Sequence, residues 1–442
     1  MSAALVPERL ERLRRADLVR PLGRVSQVLG LALEVTGLVA SIGDRCEIET
    51  TGAPLAAEVV GFRADRLLLM PLGELAGVRA GATVSAGLGP IAIEVSDALL
   101  GRVVDPFGRP VPGEAPIPGG VRRAIHRRPP SVLERRRITE RLETGIRALD
   151  TLLPIGRGQR VGIFAGSGVG KSVLLGSLAR HAASDVNVIA LVGERGREVR
   201  EFIERDLGPE GLARSVVVVA TSDEPALVRR QAAFAATTVA EHFRDQGRAV
   251  LLMMDSVTRF AMAQREIGLA VGEPPATRGY PPSVFSLCPR LLERAGTTAH
   301  SGSITGLYTV LVEGDDLNDP VADTVRAILD GHVVLSRELA SAGHFPAIDV
   351  LGSVSRLAGD LLTPDEARAA TLLRSHLATW RDARDLVSIG AYARGSDAAT
   401  DRALDALPAI TAFLRQDRDE RSADAESGRR LAAIVAPSGD VR

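Results

Sequence analysis

The spacing of apolar positions changes several times along this chain, and each change predicts a different kind of element. Over residues 1–20, Leu5, Leu10, Leu13 and Leu18 recur near helical spacing among Arg9, Glu11, Arg12, Arg14 and Arg15. That predicts a short amphipathic helix, which is marginal alone in water and would be stabilised by a partner. A frayed tail is the alternative. From Gly23 to about Val95 the pattern shortens to apolar runs separated by glycine, at 24–29, 32–35, 45–49, 56–62, 66–71, 83–86 and 91–95. Short strands at this pitch predict a small all-β barrel or sandwich. Residues 101–135 are rich in Pro and Gly, including Pro106, Pro110, Pro112, Pro116, Pro118, Pro129 and Pro130. Such a run excludes a helix or a central strand and is expected to wrap along the surface.

From about 136 to 355, apolar strands alternate with helical segments, which predicts a parallel α/β sheet with helices on both faces. The expected strands are 160–165, 186–192, 215–220, 249–255 and 307–312, with helices near 172–182, 197–206, 225–246 and 257–267. Beyond about 360 the pattern is helical. Thr363-Pro-Asp-Glu366 forms a capping box with Pro at the first helical position, and Ser396-Asp397 starts a second helix. The charged stretch 416–430 is expected to be mobile. The expected organisation is a helix at 1–20, a barrel at 21–97, an α/β domain at 98–358 and a helical domain with a mobile tail at 359–442.

Composition narrows this only slightly. A formal net charge of −1 gives no electrostatic argument for nucleic acid or an anionic membrane. A small β-barrel can bind single-stranded RNA, but that needs aromatic platforms, and Phe62 is the only aromatic residue in the first 100. Cys46 and Cys288 make no disulfide framework and suit a reducing cytoplasm. No secretory signal and no run long enough to span a membrane are read.

The chemistry starts at Val161-Gly-Ile-Phe-Ala-Gly-Ser-Gly-Val-Gly-Lys-Ser172, an apolar strand, a glycine-rich turn and a helix opening. This is the form of a phosphate-binding P-loop, in which successive N–H groups curl around an anion at a helix N-terminus. Lys171 is the only lysine among the 54 Lys and Arg residues. Here a compact ammonium must reach between the β- and γ-phosphates of ATP. Downstream, the strand 248–254 ends in Asp255-Ser256. Below a P-loop, Ser172 and Asp255 form the pair that holds Mg²⁺. The strand 186–192 ends in Gly193-Glu194-Arg195-Gly196, which places Glu194 to orient or deprotonate the attacking water. A helix N-terminal Glu favoured by the dipole is the structural alternative.

These motifs carry a resemblance. Glu143-Thr-Gly-Ile-Arg-Ala-Leu-Asp150, the P-loop run, Gly193-Glu-Arg-Gly-Arg-Glu198 and Pro346-Ala-Ile-Asp-Val-Leu-Gly-Ser-Val-Ser355 are similar to the F-type rotary ATPase α/β family. Gly279-Tyr-Pro-Pro-Ser-Val-Phe285, Glu313-Gly-Asp-Asp316 and Ile328-Leu-Asp-Gly-His332 resemble its type III export branch, and the Ser-Gly-Val P-loop resembles the flagellar members most. Ala165 departs from the strict glycine at the first P-loop position.

The resemblance implies a RecA-like P-loop ATPase core with an N-terminal β-barrel and a C-terminal α-helical domain. It also implies a homohexamer hydrolysing Mg-ATP between subunits. Gly166, Ser167, Gly168, Val169, Gly170, Lys171, Ser172 and Val173 would hold the nucleotide, with Phe345 on the adenine. Arg195 and Arg259 would surround the γ-phosphate, and Arg356 would reach into the neighbouring site. Implied partners are a stator-like regulatory protein on the 1–20 helix, export-gate membrane proteins, and export substrates and chaperones on the C-terminal helices. No nucleic acid is expected, and peripheral attachment to the inner face of the cell membrane is. An injectisome ATPase, a rotary synthase subunit and an RNA-translocating hexamer are the alternatives.

Overall fold

The structure, a computed structural model, describes residues 22–436 apart from 88, 313, 315 and 317. The helix expected over 1–20 lies outside the described residues. The chain divides into two compact units. One runs to Ile91 and takes in Glu266–Glu273; the other holds Ala92–Arg265 and everything from Pro274.

The first unit is built from β1 (Leu22–Leu29), β2 (Ala32–Thr36), β3 (Arg45–Ile48), β4 (Leu55–Arg63), β5 (Arg66–Pro71) and β6 (Thr83–Ser85). They close into a barrel in the order β1-β2-β5-β4-β3-β6. Strand alternation sends Val25, Leu33, Val35, Cys46, Ile48, Val59, Leu69 and Val84 into one core. Pairing of β1 with β6 leaves no free edge for a further strand. The run expected at 91–95 is therefore not part of the barrel. It forms β7 (Ala92–Val95), which pairs with β9 (Val121–Ala124) in the second unit, so the expected boundary at 97 moves back to Ile91.

The second unit is organised by β8 (Arg102–Val104), β12 (Arg160–Ala165), β13 (Val186–Glu194), β14 (Ser215–Thr221), β15 (Ala249–Asp255), β16 (Gly296–Thr297), β17 (Ser303–Leu311), β18 (Gly331–Leu335) and β19 (Ile348–Ser355). A small ladder joins β10 (Arg141–Leu142) to β11 (Ile155–Gly156). The sheet order is β19-β18-β12-β17-β15-β13-β14-β8, with β16 added to β17. Every neighbour pair from β18 to β8 is parallel; β16 and β19 run antiparallel to theirs. Both faces are covered, as parallel sheets require. On β15, Leu251 and Met253 join the core that holds Leu174, Leu175 and Leu178 of the helix Lys171–His181, while Val250, Leu252 and Met254 are equally buried.

Three expectations need correction. The Pro-rich connector does not only wrap the surface: its Pro-free stretch Arg102–Val104 docks as the edge strand, with Val103 and Val104 buried. The single helix expected at 197–206 is split, because Gly196–Glu201 is α-helical and Phe202–Leu207 widens into a π-turn. The tail expected to be mobile at 416–430 is ordered. It leads into the helix Asp424–Val435, which buries Leu431 and Val435. Its charges are used inwardly: Asp424 pairs with Arg141 at 2.8 Å and Glu420 with the buried Arg147. Counting charge alone missed the apolar stripe beyond residue 430.

The helices Pro364–Ser388 and Ala398–Leu414 begin as the sequence indicates, on Thr363 with its Glu366 capping box and on Asp397. They do not form a separate compact unit. Leu373, Ile410 and Phe413 share one core with Leu149, Leu152 and the helix Lys171–His181.

Candidate active site

The sheet order sets the geometry of the site. β12, β17, β15 and β13 are consecutive, so the loops leaving β12, β15 and β13 open at one end of the sheet. The loop after β12 bends through Gly168 and Gly170, at φ +79° and +90°, a left-handed backbone that suits glycine. Gly170 is the N-cap of the helix Lys171–His181 and supplies no side-chain cap, which leaves the first N–H groups for an anion. Gly166 and Val169 are buried, whereas Ser167, Gly168 and Val173 are exposed along the rim. The Ser167 carbonyl accepts a hydrogen bond from Arg337 at 3.3 Å. Phe345 leans over the loop: a Cβ on Gly170 would lie 3.4 Å from its ring.

Beneath this loop three charges converge. The Lys171 ammonium pairs with Asp255 and lies 4.0 Å from Glu194 Oε1. All three are largely enclosed, with side-chain exposures of 12 % for Lys171, 15 % for Glu194 and 5 % for Asp255. Asp255 closes β15 and also accepts a 2.7 Å hydrogen bond from Thr309 Oγ1 on β17. Glu194 closes β13 after an irregularity in the pairing with β14 between Val192 and Glu194. Burial, and then the negative charge of Asp255, push the Glu194 carboxyl up to about 7, against the pull of Lys171 and Arg259. Glu194 Oε1 is buried with no hydrogen-bond partner, as is Arg259 Nε. Gly193, at φ +70°, lets Arg259 approach: a Cβ there would sit 3.1 Å from the Arg259 Cβ.

Ser172, Glu194 and Asp255 line one cavity of about 230 Å³ with Leu191, Val199 and Phe202. Hydroxyl and carboxylate oxygens are the donors that a hard divalent cation takes, and the buried Glu194 Oε1 has no hydrogen-bond partner beside them. The residues present fit such a cation.

Other residues singled out in the sequence stand apart from this cluster. The Arg195 side chain is 79 % exposed and turns to Glu198 at 3.5 Å. Arg356 follows β19, is exposed, and donates to the Arg326 carbonyl at 3.4 Å, while its backbone N–H donates to Asp330 O at 3.1 Å. Thr309 and Arg337 were not anticipated. For Thr309 a signal existed, a hydroxyl residue within the apolar run Leu307-Tyr-Thr-Val-Leu311.

Comparison with known proteins agrees with this geometry. Residues 145–355 match the nucleotide-binding domain of the ATP synthase alpha/beta family, residues 25–86 its beta-barrel domain, and residues 362–433 the T3SS EscN ATPase C-terminal domain. The chain is 51 % identical to the flagellum-specific ATP synthase of Bacillus subtilis (strain 168), over 96 % of this chain and 97 % of that protein. It is 52 % identical to a type 3 secretion system ATPase of Xanthomonas euvesicatoria, over 91 % and 92 % of the two chains. Among solved structures, the assembled ATPase EscN with its central stalk EscO, from the enteropathogenic E. coli type III secretion system, superposes with a TM-score of 0.86. That match has 44 % identity and covers 94 % of this chain and 100 % of that one. The chain belongs to the ATP synthase alpha/beta family, as an ATPase of the branch that holds the flagellum-specific and type III secretion enzymes.

Proposed function

We propose that this chain hydrolyses Mg-ATP at sites completed by a neighbouring copy in a homohexamer, and that hydrolysis energises export of flagellar proteins at the inner face of the cell membrane. The observation that carries the chemistry is the convergence of Lys171, Glu194 and Asp255 beneath the glycine loop. Backbone N–H groups of 166–173 and the Lys171 ammonium hold the β- and γ-phosphates, with Lys171 exchanging its Asp255 contact for phosphate oxygens. Ser172 and Asp255 hold Mg²⁺, which when bound neutralises charge on the β- and γ-phosphate oxygens. Glu194 orients the attacking water and takes its proton. Arg259 and Arg195 border the γ-phosphate, Phe345 stacks on adenine, and Arg356 of the neighbour stabilises the transferring phosphoryl group.

The test is Glu194→Gln. Hydrolysis should fall by about 10³-fold or more while fluorescent ATP still binds, because only the water-activating group is lost. A near-normal rate would remove Glu194 from the mechanism.

The assembled EscN and its complex with a stalk support an oligomer with a regulatory partner. By extension, residues 1–20 dock a stator-like protein, and the C-terminal helices meet export substrates, chaperones and the export gate. Flagellar and injectisome relatives are almost equally similar, at 51 % and 52 % identity, so partners recovered by co-purification from cells decide between those assemblies. The arginine-rich connector does not favour RNA: Arg123 pairs with Asp245 at 2.7 Å, Arg127 with Glu241 at 3.1 Å and Arg135 with Glu293 at 3.1 Å. Strong stimulation of hydrolysis by single-stranded RNA would overturn the export reading. Among the described residues no helix is long and apolar enough to cross a membrane, so the proposed attachment is peripheral.

A further inference from the structure

We infer that Thr309 is a positioning residue for the metal-holding carboxylate of Asp255: its hydroxyl fixes one carboxylate oxygen so that the other is presented to the cation.

β17 lies between β12, which carries the P-loop, and β15, which ends in Asp255. Thr309 sits on β17 opposite Ile163 of β12 in the parallel register, and it is fully buried. Its Oγ1 lies 2.7 Å from Asp255 Oδ1 and 3.3 Å from the Met254 carbonyl. A hydroxyl has one proton to give. The shorter contact to an ionised acceptor takes it, because charge-assisted hydrogen bonds are shorter and stronger than neutral ones.

The Lys171 ammonium contacts the same oxygen, Asp255 Oδ1. Both donors therefore act on Oδ1, which leaves Oδ2 as the oxygen available to a cation in the cavity that Asp255 lines with Ser172. The two donors differ in permanence. Lys171 ends a flexible four-carbon stem and is the group that moves onto phosphate. Thr309 is β-branched, stiff at χ1, and set in a strand hydrogen-bonded on both sides. When Lys171 leaves, Thr309 is the donor that keeps Asp255 in one orientation. A valine would fill the space equally well, so packing alone does not require the hydroxyl.

The inference rests on the reading of Ser172 and Asp255 as the metal pair, and the test separates the two. Mn²⁺ binding to the full chain with saturating ADP, followed by electron paramagnetic resonance, needs no turnover. Thr309→Val should weaken Mn²⁺ about 10-fold or more, the scale on which partners of metal ligands act. ADP affinity measured in EDTA should stay within about threefold. Thr309→Ser should restore Mn²⁺ affinity, because it returns the hydroxyl without the methyl group. Thr309→Val binding Mn²⁺ like wild type, or Thr309→Ser being as impaired as Thr309→Val, overturns the positioning role. Should Thr309→Val not fold, Thr309→Ala takes its place beside the serine variant: a loss of Mn²⁺ affinity in alanine that serine does not show supports the role, and wild-type affinity in alanine overturns it. Asp255→Asn is the control for the parent reading. If it keeps Mn²⁺, the metal assignment itself fails; if it loses Mn²⁺ while Thr309→Val does not, only Thr309 is wrong.

Discussion

Two sets of residues in the proposed site are placed in opposite ways. Lys171, Glu194 and Asp255 are enclosed, at 12 %, 15 % and 5 % side-chain exposure, and compensate one another within one chain. Arg195 and Arg356 lie at the surface, and Phe345 is 45 % exposed above the glycine loop. Enclosed charges must be balanced where they sit, since an unpaired buried ion is costly. Surface arginines need no such balance, and their contacts are slight: Arg195 reaches Glu198 at 3.5 Å and Arg356 the Arg326 carbonyl at 3.4 Å. On the proposed reading, the inner set binds phosphate and aims a water, and the outer set serves a second copy.

The largest way to break that contrast is Arg356→Ala. If Arg356 acts across a subunit boundary, kcat should fall by about 10³-fold. ADP affinity of the single chain should stay within about threefold, because no inner contact is touched. Steady-state rates and nucleotide titration measure both. A collapse of nucleotide affinity in the single chain would move Arg356 into the inner set.

A smaller effect is expected at Gly193. Alanine there must adopt φ +70° and push on an Arg259 Cβ 3.1 Å away, which displaces Glu194 beside it. We expect kcat to drop by about 10-fold to 100-fold with nucleotide binding retained, as misplacement of a catalytic group does. An unchanged kcat would show that the Gly193 turn does not set the position of Glu194.

The smallest effect is the pH dependence. The Glu194 carboxyl is raised from 4.5 to about 7, so the folded chain holds its proton more tightly than the unfolded chain. The stability tied to that proton is fully present below 4.5 and is lost as pH rises through about 7. Relative to Glu194→Gln, wild type should therefore lose thermal stability between about pH 4.5 and 7. Unfolding midpoints compared across that range check it, and a difference that does not change with pH contradicts the assigned burial.

Much of the inner set was legible in the sequence because each member follows from a local rule. A glycine turn needs glycines, a P-loop needs its lysine, and strands of a parallel sheet deliver their terminal Asp255 and Glu194 to one end. Thr309 was not legible as a partner of Asp255, because its role depends on β17 lying between β12 and β15, which spacing along the chain does not encode. β18 and β19 were also missed: Gly331–Leu335 alternates over only five residues, and Ile348–Ser355 breaks the alternation and exposes Val354. The tail helix Asp424–Val435 was hidden by its charges, of which Asp424 pairs inward with Arg141.

Mixing two inactive variants shows whether one site draws on two chains. Glu194→Gln retains Arg356, and Arg356→Ala retains Glu194. In rings assembled from equal amounts of both, roughly a quarter of the heterologous interfaces would unite an intact Glu194 with a neighbour's intact Arg356. Measured ATP hydrolysis should then rise well above that of either variant alone. If the mixture is as inactive as its components, both residues act within the same chain and the account is contradicted.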